Sequence, residues 1–155
     1  MKRKIKYRVW HVNSKMIYID ETCYLILYGG EKSIQWGLYS HKDGYRLVTG
    51  GSKAILNIPG YLMQYTNLKD QTGKEIYEKD IAKMQVEYGG ENFYLNGWHI
   101  GEVRIIASMG VCIYNPYFKN NNGEDYRQKG YWKLRAHRTK IIGNIYEHNH
   151  LINGQ

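Results

Sequence analysis

Lys4-Ile5-Lys6-Tyr7-Arg8-Val9-Trp10 alternates charge with bulk, residue by residue. A period of two marks a strand with one face on a core and the other in water. Working outward, the same signature recurs. Residues 15–19 and 22–28 read as the next strands, and Gly29-Gly30 ends that run because glycine accepts the positive φ that turns need. Residues 33–39 form another, and the Asp43-Gly44 pair behind it is a hairpin signal. Residues 61–66 and 75–77 flank Asp70-Gln71-Thr72-Gly73, a turn with glycine at its left-handed position. Residues 80–88 read as strand rather than helix, since Ile81, Met84, Val86 and Tyr88 make no long 3.6-residue stripe. Residues 102–107, 111–114, 131–137 and 140–147 complete the set.

These segments predict a mainly-β single domain over residues 1–155: a complex open or pseudo β-barrel of about ten short strands with little helix. A polar loop is expected near 119–126 and a frayed tail over 149–155. The 43% hydrophobic fraction, with 17 Gly and 2 Pro, excludes a disordered chain. No apolar run approaches the ~20 residues of a membrane helix, and the basic N-terminus lacks the apolar stretch of a secretory signal. Cys23 and Cys112 make no disulfide framework and fit a reducing cytoplasm.

The net charge of +8 is unevenly placed. Lys2, Arg3, Lys4, Lys6, Arg8 and Lys15 stand without an acid among them, and so do Arg127, Lys129, Lys133, Arg135, Arg138 and Lys140. On a strand, Lys2, Lys4, Lys6 and Arg8 would share one face. Tyr131, Lys133, Arg135 and His137 would share another by the same rule. Cations in a row with an aromatic ring are what phosphate neutralisation and base stacking require. Lys4, Lys6, Arg8, Lys133, Arg135 and Arg138 are therefore the candidate DNA or RNA contacts. The competing reading is a solubilising face that blunts strand-edge pairing with lysines.

Catalytic signatures are missing: no GxxxxGK[ST], GxGxxG, GxSxG or HExxH occurs. His148-x-His150 supplies two imidazoles where a metal site needs three or four ligands. The cysteines sit in apolar runs, as small hydrophobes do. Glu75, Glu78, Asp80, Glu124 and Asp125 read as turn residues and solvated charges. The expectation is a non-enzymatic protein with no metal or cofactor.

Three segments together resemble a known family. They are Lys6-Tyr7-Arg8-Val9-Trp10 with Lys15-Met16-Ile17-Tyr18, the stretch from Leu62 through Asp70-Gln71-Thr72-Gly73-Lys74-Glu75-Ile76-Tyr77-Glu78-Lys79-Asp80-Ile81, and Ile141-Ile142-Gly143-Asn144-Ile145-Tyr146-Glu147. Their order and content resemble the YopX-like family of bacteriophage and prophage proteins. The family usually has a small residue or Asp where His11 and Asn67 stand, and Gly at position 79. Residues 88–100 and 115–130 are longer or less patterned than the resemblance leads one to expect.

The resemblance implies a mainly-β, open-barrel phage protein acting in the host bacterial cytoplasm, and no catalytic residue to carry over. Within the motif, Ile76, Tyr77 and Ile81 read as core, Asp70 and Gly73 as turn chemistry, and Lys74, Glu75 and Glu78 as an exposed hairpin edge. The protein is then expected to work by binding: to itself as a homo-oligomer, to a host or phage protein, or alternatively to DNA or RNA through the basic faces, without a membrane.

Overall fold

A computed structural model describes residues 6–11, 15–18, 23–30, 33–40, 46–50, 60–90 and 93–153. Lys4, the Asp43-Gly44 turn and the side chain of Cys23 lie outside the described residues. The protein is mainly β, as its alternation predicts. Thirteen strands and two short 3-10 turns, with no α-helix, make up the described residues. The strands outnumber the expected ten because segments such as Arg46–Gly50 and Asp125–Arg127 are too polar or too short for their alternation to register.

The chain forms two compact units, with the boundary inside one strand. In the unit Lys4–Gln64, β1 (Tyr7–His11) runs antiparallel to β2 (Lys15–Tyr18) and to the beginning of β6 (Gly60–Lys69). β3 (Cys23–Gly30), β4 (Ser33–Ser40) and β5 (Arg46–Gly50) form an antiparallel three-stranded sheet. Val9 and Met63 are fully buried, and the Trp10 and Tyr61 rings lie 5.9 Å apart. Arg8 corrects the sequence reading, because it is only 3% exposed and presents no solvent face beside Lys6.

The unit built on Tyr65–Gln155 contains β7 (Glu75–Tyr77), β8 (Asp80–Gly90), β9 (Phe93–Ile106), β10 (Gly110–Asn120), β11 (Asp125–Arg127), β12 (Tyr131–Lys133) and β13 (Thr139–Asn144). Its large sheet has the open order β11-β10-β9-β8-β13, with β12 also on β10. Strands β8 and β9 pair without a slip from Ile81↔Glu102 to Gly90↔Phe93. One sheet face therefore collects Ala82, Met84, Val86, Val103, Ile113, Phe118 and Ile141, which with Ile76 and Leu134 form the core. After β12 the chain crosses to β13 on the far edge through residues 134–138. Among the described residues the sheet closes into no ladder between its edge strands.

Two predicted strands end early. Residues 131–137 stop being a strand at Lys133, where Leu134 turns into the core and Ala136–Arg138 tightens into a 3-10 turn. Tyr131, Lys133, Arg135 and His137 nevertheless all remain exposed. Residues 140–147 stop at Asn144, whose Oδ1 accepts the backbone N–H groups of Tyr146 and Glu147 and so turns the chain.

The Asp70 turn fastens this unit together. Asp70 Oδ1 accepts from Thr72 N, Thr72 Oγ1 and Lys74 N at 2.6–3.0 Å, and Oδ2 accepts from Ile141 N at 2.9 Å. Burial works against its ionisation, but the surrounding donors outweigh it and hold the carboxyl below its ordinary value. Gln71 N also donates to Thr139 O, so the turn caps the edge of β13. Ile76, Tyr77 and Ile81 are fully buried, as the motif predicts. Glu78 departs from its expected exposed edge: its Oε1 accepts the N–H of Ile105.

Candidate nucleic-acid interface

The outer face of the large sheet is assembled by register. Cross-strand partners share a face, and one row reads Lys140↔Lys83↔Ile100↔Tyr117↔Arg127 over five strands. The next reads Gln85↔Trp98↔Lys119↔Asp125. A third holds Ile81, Glu102, Tyr114 and Tyr131, and a fourth Arg104, Cys112 and Lys133, with Ile81, Glu102 and Cys112 covered rather than open to solvent. At 4.7–4.9 Å per strand the longest row spans about 19 Å.

A β-bulge makes this arrangement possible. β10 slips against β9 between Tyr114 and Tyr117, so three steps on one strand match two on the other. Tyr114 and Tyr117, which a regular strand would point to opposite faces, therefore face the same way. Asn115 holds the bulge at φ 41, donating its N–H to Gly130 O while its Oδ1 accepts from Gly130 N at 2.7 Å.

On this face cations lie over rings. Lys83 Nζ is 4.5 Å from the Trp98 ring centre, and the Arg104 guanidinium 3.7 Å from that of Tyr114. Lys119 and Arg127 both approach Tyr117, at 5.8 and 5.9 Å. Tyr114 in turn packs 5.1 Å from Tyr131, which is 40% exposed. Six cations (Lys83, Arg104, Lys119, Arg127, Lys133, Lys140) face three acids (Glu87, Glu102, Asp125). The acids are engaged. Glu102 takes Lys79 at 3.3 Å and Arg104 at 2.8 Å, Glu87 takes Arg138 at 3.6 Å, and Asp125 stands opposite Lys119 across the strands. The Glu102 hydrogen bond keeps Arg104 firmly protonated.

Lys140 stands directly opposite Lys83, a like-charge pair that is unfavourable without an anion nearby. Part of the face is occupied. The last 3-10 turn, Asn149–Ile152, packs on β9, and Arg127 donates to the Ile152 carbonyl.

Of the residues predicted from sequence, the structure brings Lys133 and Arg135 to one half-open hollow. Met84, Val86, Glu87 and Trp132 complete its lining, and it has a volume of about 200 Å³. Arg138 reaches the same rim through Glu87. Lys6, half-buried, precedes β1 in the other unit, Arg8 is buried there, and Lys4 lies outside the described residues. The sequence reading missed Lys83, Arg104, Lys119 and their rings, which come from three separate strands. Their signal was the polar partner of each core position: Lys83, Gln85 and Glu87 interleave with Ala82, Met84 and Val86.

Other candidate chemistry resolves as structure. Cys112 is fully buried, and burial pushes its thiol above its ordinary value. The His148 and His150 rings lie 6.3 Å apart, and among the described residues no three His, Cys, Asp or Glu side chains gather as metal ligands. His99 is buried between the Phe118 and Trp132 rings, at 5.7 and 5.3 Å. That burial lowers its pKa to about 4.

Comparison with known proteins agrees with the motif. The family described as YopX protein matches residues 6–153. A crystal structure of protein EF1440 from Enterococcus faecalis is similar at 17% identity and a TM-score of 0.48, covering 98% of this chain and 100% of that one. No curated protein matches the chain.

Proposed function

The chain belongs to the YopX family, and from that premise we propose that it is a phage or prophage protein that works by binding rather than by catalysis, in the host bacterial cytoplasm. Its ligand is single-stranded nucleic acid, held across the outer face of the large sheet. The observation that carries this reading is the sharing of rows by cations and rings, with Lys140 and Lys83 set side by side. Phosphates relieve such repulsion and release counterions. The rings favour a single strand, since only unpaired bases expose the faces that stack on Tyr and Trp. Assembly through strand addition at β13 has less support, because Asp70 and Gln71 already take up that edge.

The test is fluorescence anisotropy with labelled single- and double-stranded oligonucleotides over a range of salt. Single strands should bind preferentially, with log K falling linearly in log salt at about 0.7 per phosphate contact. Lys83→Glu, Lys119→Glu and Lys133→Glu combined should weaken binding more than tenfold and flatten that slope. Absence of binding at low salt, or an unchanged slope in the triple variant, overturns the reading.

A further inference from the structure

We propose that the hollow beneath β12 receives one unpaired base of a bound strand, with Lys133 and Arg135 on the adjoining phosphate. This rests on the nucleic-acid reading and sharpens it. The hollow's walls are apolar: Met84 is 2% exposed, Val86 7%, and the Trp132 ring stands beside them. Its rim is cationic, with Lys133 and Arg135 both exposed. The one acid there, Glu87, is balanced by Arg138 at 3.6 Å. An apolar slot with a net positive mouth is complementary to a planar apolar group bearing an anion, which is the chemistry of a nucleotide. At about 200 Å³ it has room for about seven waters, enough for one ring system and below the range usual for larger cofactors.

The walls are held in place. Arg135 N donates to Met84 Sδ at 3.2 Å, which pins the rim to the floor. His99 meets the Trp132 ring edge-on, at 5.3 Å and 73°. Lys133 links slot to face. By register it lies in the outer row with Arg104 and Cys112, yet it also lines the hollow. β12 pairs with β10 alone in the sheet order, so a strand passing Tyr131 and Lys133 can turn a base over that edge.

Two arms test this. In the first, Val86→Phe fills the slot and oligonucleotide binding is measured across salt. The expected result is a loss of about tenfold in affinity with the salt slope kept, because the phosphate contacts remain. Wild-type affinity in a folded Val86→Phe protein overturns the slot and leaves the broader reading standing, whereas failure of the wild type to bind any oligonucleotide removes both. The second arm uses the unaltered protein, so it decides even if the variant does not fold. Tryptophan fluorescence is followed with a nucleoside monophosphate and with ribose 5-phosphate. A response to the nucleotide alone is expected. Equal responses overturn the proposal, and so does a monophosphate that binds more tightly than an oligonucleotide, which would make the slot a free-nucleotide site.

Discussion

The Asp70 turn and the outer sheet face both place charge on an ordered β scaffold, and they use it in opposite ways. The Asp70 carboxylate is held by N–H and hydroxyl groups of the protein itself, three of them reaching from the turn and one from β13. On the outer face Lys83 and Lys119 instead lie over Trp98 and Tyr117, and six cations there stand against three acids. A charge whose partners are backbone donors is part of the scaffold. A charge resting on a ring, beside another of the same sign, is available to a ligand.

The largest effect should come from breaking the first of these regions. Asp70→Ala removes the acceptor for three backbone N–H groups and one hydroxyl, and should cost about 3 kcal/mol or more in urea unfolding. Lys119→Glu on the exposed face should stay within about 0.5 kcal/mol. Equal costs at the two positions would erase the distinction. The carboxyl's lowered pKa sets its pH window: its contribution is complete above the unfolded value of 3.8 and is lost as pH falls through the lower folded value.

His99 should act next, in a different window. Its folded pKa of about 4 lies below the ordinary histidine value of 6.5, so the unfolded chain binds the proton first. Stability should therefore fall as pH drops from 6.5 towards 4, by roughly 3 kcal/mol, and level off below that. Urea midpoints measured across this range check the size of the loss. In His99→Phe the loss should disappear, and a wild type that is flat between pH 6.5 and 4 would remove His99 from the core account.

The contrast between the regions also explains what could be read in advance. The fold was legible because Lys6-Tyr7-Arg8-Val9 alternates charge with bulk, and because Asp70 and Gly73 stand where a turn needs them. The binding face was only half legible. Lys133 and Arg135 stood out as members of an acid-free block, but Arg8, chosen by the same rule, is buried. Composition counts charge, and only packing decides which face a strand turns to solvent. Tyr114 and Tyr117 could not be placed together because the bulge at Asn115 reverses the parity between them. The same bulge is why residues 115–130 look unpatterned.

Position 79 carries the smallest predicted effect, and it lies between the two regions. Lys79 has φ 70, a left-handed conformation that costs a non-glycine residue about 1 kcal/mol. Its Nζ also meets Glu102 at 3.3 Å, a half-exposed pair of the kind that contributes about 0.2–1 kcal/mol. Arg104 stays on Glu102 at 2.8 Å, so removing Lys79 does not leave that carboxylate alone. Lys79→Gly should therefore gain about 0.5 kcal/mol net, and Lys79→Met, which loses the pair and keeps the strained backbone, should lose a few tenths. The difference between the two midpoints isolates the backbone. If glycine proves no better than methionine, strain at this turn is negligible, and the ion pair is what lysine contributes there: charge spent on the scaffold, as at Asp70, rather than held for a ligand.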